Sequence, residues 1–108
     1  MRDGPGRYIL VGHVAVEEPD LFAWGRWLQE ADRIVRRSVL EGGVVISTVF
    51  LGLDHDMGGE GPKLFETMIL GGPEKNARRR YATWDEAEDG HIEMLKRAIS
   101  VNYHPAKT

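Results

Sequence analysis

The sequence contains no cysteine. Disulfides, thiolate nucleophiles and cysteine-bound zinc are therefore excluded. No apolar run approaches the roughly 18 residues of a membrane-spanning helix. The best candidate, Val44 to Leu53, is broken by Ser47 and Thr48. The segment Met1-Arg2-Asp3-Gly4-Pro5-Gly6 lacks the apolar core of a signal peptide. Basic excess is missing too: 14 Lys and Arg stand against 17 Asp and Glu, for a net charge of −3. Nothing draws the chain as a whole toward nucleic acid. None of Ser38, Ser47 and Ser100 sits in a G-x-S-x-G elbow, and there is no P-loop or helix-turn-helix pattern.

What remains is the composition of a single soluble domain: 108 residues, 42% hydrophobic and 29% charged. The cytoplasm is the expected compartment. Residues 1–6 and 104–108 read as fraying tails. Tyr8 to Val16 reads as a strand, with Gly12 marking a bulge. Asp20 is a candidate N-cap. Leu21, Trp24, Leu28, Ala31 and Val35 recur at helical spacing, which predicts a helix over Leu21 to Val39, ended by Gly42 or Gly43. Val44 to Leu53 predicts a strand apolar on both faces, hence central in its sheet. Leu64 to Leu70 predicts the next strand. Thr83-Trp84-Asp85-Glu86 is a capping box opening a last helix, with Ala87, His91, Met94, Leu95 and Ala98 as its apolar stripe. A further short strand fits Ile99 to Tyr103. The predicted fold class is α+β, a small antiparallel sheet of three or four strands with two helices in the order β-α-β-β-α.

Several residues are candidates for chemistry. The loop from Asp54 to Lys63 carries Asp54, His55, Asp56 and Glu60 among glycines. Oxygen ligands and an imidazole suit a divalent cation, but the spacing is not that of an EF-hand, and acids with glycines are also ordinary loop residues. Glu66 shares a strand face with Leu64, Met68 and Leu70, where a carboxylate needs a partner. It reads either as a base or ligand near His55, or as a solvent-side residue with Phe65, Thr67 and Ile69 pointing inward. His91 follows Gly90 on the apolar stripe, and reads as framing a pocket or, more simply, as a core histidine hydrogen-bonded to a backbone carbonyl. His13 beside Gly12 carries the same two readings. Arg78, Arg79 and Arg80, after Lys75, form the one dense basic run. It suits an anion, or a solvated loop answering the acidic start of the helix.

Three segments, GGVVISTVFLGLDH (42–55), GPKLFETMILGG (61–72) and RYATWDEAEDGH (80–91), together with Trp24-Gly25-Arg26-Trp27, resemble a family of small proteins found in bacteriophages, prophages and bacterial chromosomes. The likeness covers residues 8–98. Pro62-Lys63 stands where that family often carries two prolines, so this turn departs from the pattern. The resemblance implies a context and no mechanism; a phage-encoded chain would work in the host cytoplasm. It draws attention to Asp54, His55, Glu66, Trp84 and His91 as one ligand-binding set.

The expected function is that of a phage-type accessory protein, not an enzyme, binding a host protein or a small nucleotide-like ligand and thereby blunting a host defence. The alternative is a small metal-assisted hydrolase using His55, Glu66 and a loop aspartate. A third reading is a nucleic-acid binder through Arg78 to Arg80, against which the absence of aromatic residues among the basic ones argues. No cofactor is implied. The apolar surface left over on so small a chain predicts a homodimer, through the open sheet face or the tryptophan helix.

Overall fold

The computed structural model describes residues 6–54 and 61–103. The chain is α+β, with two helices, a two-stranded sheet and a four-stranded sheet. Its elements are β1 (Tyr8–Val11), β2 (Val14–Glu17), α1 (Leu21–Glu30), β3 (Ile34–Val39), β4 (Val45–Phe50), β5 (Phe65–Leu70), β6 (Arg78–Tyr81) and α2 (Trp84–Tyr103).

The segment predicted as one strand over Tyr8 to Val16 is a hairpin instead. Val11 pairs with Val14, leaving Gly12 and His13 as a two-residue loop. Gly12 has φ +62°, a conformation a side chain resists, and glycine at the first central position is what a type II′ hairpin turn requires.

The helix predicted to reach Val39 stops at Glu30. Its start is as expected: the Asp20 carboxylate accepts from the N–H groups of Phe22 and Ala23 at 2.9 and 3.2 Å. Ala31 then turns extended, and the Asp32 carboxylate accepts from the Ile34 N–H. The β-branched Ile34, Val35 and Val39 continue as strand β3, so Gly42 and Gly43 close a hairpin to β4 rather than a helix.

The four-stranded sheet is antiparallel throughout, in the order β3-β4-β5-β6. β4 is an inner strand, as its composition predicts. The arginine run, expected as a loop, forms edge strand β6, which pairs Arg78 with Met68 and Arg80 with Glu66. The strand expected at Ile99 to Tyr103 is the continuation of α2: Met94 and Ala98 carry the buried stripe forward, with no glycine or proline to stop it.

α2 lies on one face of this sheet. Three cross-strand rows point toward it: Ser38–Ile46–Ile69, then Arg36–Thr48–Thr67–Arg79, then Phe50–Phe65–Tyr81. The outer rows belong to two apolar clusters. Val44, Ile46, Ile69, Met94 and Ala98 form one; Phe50, Leu64, Phe65, Tyr81 and Ala87 form the other. The β1-β2 hairpin and α1 close the second cluster through Tyr8, Leu10, Ala15 and Trp27. The Trp24 indole N–H donates to the Gly52 carbonyl at 2.9 Å.

Candidate functional site

The middle inner row is polar, and His91 is its centre. His91 is carried by α2 and fully buried between that helix and the sheet. Its Nδ1 lies 2.7 Å from Thr48 Oγ1, and its Nε2 lies 2.8 Å from Ser38 Oγ. Thr48 and Thr67 share a further hydrogen bond of 2.5 Å. Either neutral tautomer is satisfied, because hydroxyls donate and accept. Burial lowers the His91 pKa from its ordinary 6.5, and the nearby Arg36 charge lowers it further. Serine, imidazole and threonine hydroxyl in line have the connectivity of a nucleophile–base–orienter relay. The relay nonetheless runs between two apolar clusters, where it satisfies every member in the manner of a core network. His91 is thus a core histidine, as the simpler sequence reading had it, but its partners are the Ser38 and Thr48 hydroxyls rather than a backbone carbonyl.

Glu66 is on the opposite side of the same sheet. The outward rows are Val39–Val45–Leu70, then Arg37–Ser47–Met68–Arg78, then Ile34–Val49–Glu66–Arg80. The Arg80 Nε donates to the Glu66 carboxylate at 3.0 Å. Glu66 is 8% exposed, so the carboxylate faces a guanidinium across the strand pair rather than bulk water. The inward set is Phe65, Thr67 and Ile69, all with no exposed surface.

The three arginines divide by strand alternation. Arg78 and Arg80 lie on the outer face with Glu66. Arg79 lies on the α2 side, where it donates to Glu93 at 2.9 Å and its guanidinium sits 5.8 Å from the Tyr81 ring centroid.

Trp84 opens α2 and stacks on His13 of the hairpin tip, ring centroids 3.7 Å apart and planes 5° from parallel. A cleft of about 370 Å³ lies at this seam, lined by His13, Val14, Phe65, Thr83, Trp84 and Asp85, among others. The Trp84 indole N–H is buried without a hydrogen-bond partner among the described residues. Asp54 follows β4, its N–H donating to the Gly6 carbonyl at 3.0 Å. His55, Asp56 and Glu60 lie outside the described residues.

The predicted set is thus spread over separate places. The sheet stands between His91 and Glu66, and Trp84 belongs to the hairpin seam. Sequence reasoning missed Ser38, Thr48 and Thr67 as partners of His91, and Arg37 as a member of the outer face. One signal was present: Thr48 and Thr67 each occupy an inward position of their strand among apolar residues.

The described elements leave the outer face uncovered. α2 takes the inner side, and α1 packs against β1. Val39, Ile34 and Leu70 stand 61%, 50% and 43% exposed. Compared with known proteins, the chain matches no family model, no curated protein and no solved structure.

Proposed function

We propose that the protein works by contact rather than catalysis, as a phage-type accessory protein that binds a host protein through the open face of its four-stranded sheet. The half-covered sheet carries this reading. A strip of Val39, Val45 and Leu70 crosses three strands on a face over which no other described element packs. Exposed apolar patches of this kind mark interaction sites. Interference with a host defence is one effect such contact would have. The hydrolase alternative is less well supported. Its Glu66 is engaged by Arg80, and its His55 lies outside the described residues.

Native mass spectrometry of the protein purified from a bacterial lysate tests the reading. The expected result is a retained protein partner that is lost from the Val39→Ser, Leu70→Ser double variant. Retention of the same partner by that variant would overturn the assignment to this face. A retained small molecule in place of a protein would transfer the function to the cleft beside Trp84.

A further inference from the structure

Building on the open-face reading, we infer that the occupant is an acidic amphipathic helix of a partner protein, laid along the strands between two arginine-bearing edges. The argument begins with the distribution of charge. The chain as a whole carries −3, yet among the described residues the paired rows of its outer sheet face carry Arg37, Arg78 and Arg80 against one carboxylate, that of Glu66. Arg80 is paired with that carboxylate. Arg37 and Arg78 flank the face on opposite edges, at the two ends of one row, with Ser47 and Met68 between them.

The spacing suits a helix. Three inter-strand steps of about 4.8 Å separate the β3 and β6 backbones, so the edges stand about 14 Å apart. A helix with its side chains is about 10–12 Å across. Its apolar stripe would lie over Val45, Val49 and Met68, and acidic residues on either flank would meet Arg37 on one side and Arg78 on the other. Beyond Ile34 and Val49, the face runs into a hollow of about 340 Å³ that Leu28 and Ala31 line together with the polar Gln29, Asp32 and Arg33. It offers room for one side chain with both apolar and polar atoms at the end of the partner helix.

Other occupants fit less well. A second copy meeting face to face by two-fold symmetry would set arginine-rich surfaces against each other, an arrangement that disfavours association. Neither helix of this chain has the required character. The apolar stripe of α2 is buried against its own sheet, and the first turn of α1 holds no acid. A nucleic acid would meet an apolar centre with no aromatic ring on which to stack a base.

Fluorescence anisotropy with three labelled 18-residue peptides tests the inference. All carry leucine at helical three-four spacing, flanked by glutamate, glutamine or lysine. At low salt the glutamate peptide is expected to bind about tenfold tighter than the glutamine peptide, with the gap closing as salt screens the charges. Arg37→Glu with Arg78→Glu should shift the preference to the lysine peptide. Equal binding of all three, weakened together by Val39→Ser with Leu70→Ser, would overturn the acidic helix and leave the open-face reading standing. Binding of none of the three, with a protein partner still captured through this face from a lysate, would likewise overturn the helix alone. Binding of none, with no partner lost on mutating this face, would overturn both. A doubled mass that Val39→Ser with Leu70→Ser returns to monomer would assign the face to a second copy. Arginine-dependent binding of a short oligonucleotide in place of the peptides would assign it to nucleic acid.

Discussion

His91 and Gly90 are neighbours on α2 with different physical reasons to be there. Gly90 makes room: an added methyl would overlap the Tyr81 ring, so the helix tolerates glycine's weak propensity for the sake of a close approach. His91 supplies polar contacts inside an otherwise apolar layer, and its burial has a pH consequence. The folded state holds His91 with its pKa below the ordinary 6.5, so in the window below that value the unfolded chain binds the extra proton. Stability from this residue is full above pH 6.5 and declines as pH falls toward the depressed value. One such group contributes a slope of at most about 1.4 kcal/mol per pH unit. Urea midpoints between pH 8 and pH 5 should fall across that window, and His91→Gln should flatten the decline; an unchanged slope would show that His91 is not the group responsible. The sequence exposed His91 as a core candidate because it sits on the stripe of Ala87, Met94 and Ala98. Ser38 was hidden, since it lies 53 residues away and meets His91 only when β3 pairs with β4.

At the scale of elements, local hydrogen-bonding chemistry was legible and strand pairing was not. The capping box of α2 is present in a displaced form. The Thr83 hydroxyl accepts from the Glu86 N–H at 3.1 Å, while the Glu86 carboxylate accepts from the Ala82 N–H at 3.0 Å, one residue before the usual partner. Glu86→Ala is therefore expected to lower stability by about 0.5–2 kcal/mol, and Glu86→Gln, which keeps an acceptor oxygen, by less. Denaturant midpoints of the two variants check this, and equal losses would count against the cap. α1 is the opposite case. Its apolar spacing ran past Glu30 into Val35, but the β-branched residues beyond Asp32 were claimed by β4. Trp24, placed by its spacing on the apolar stripe of the first helix, is half-buried and anchored by its indole N–H to the Gly52 carbonyl.

For the molecule as a whole, the unsolved physical problem is exposed apolar surface. Besides the outer sheet face, α1 buries no residue fully, and its Phe22 and Leu21 stand 79% and 53% exposed. A homodimer is expected to use this helix, leaving the arginine-edged sheet face to a partner. Light scattering at micromolar concentration should give about twice 12.2 kDa, and Phe22→Asp should return the mass to 12.2 kDa; a native mass already at that value would refute self-association through α1. The sequence alone determined the α+β class and the cap and start of each helix, while of the two parities it left open for β5 the structure chose the one with Phe65, Thr67 and Ile69 inward. The class, caps and helix starts follow from forces acting between residues a few positions apart: side-chain alternation, helical spacing and local hydrogen bonds. Tertiary structure alone decided that Ile34 to Val39 and Arg78 to Tyr81 are strands, that the first strand folds back at Gly12 and His13, and that Glu66 and His91 lie on opposite sides of one sheet. Those outcomes depend on which strand edges meet across long sequence separations, and the pairing preference of a backbone N–H or C=O is not written in its own side chain.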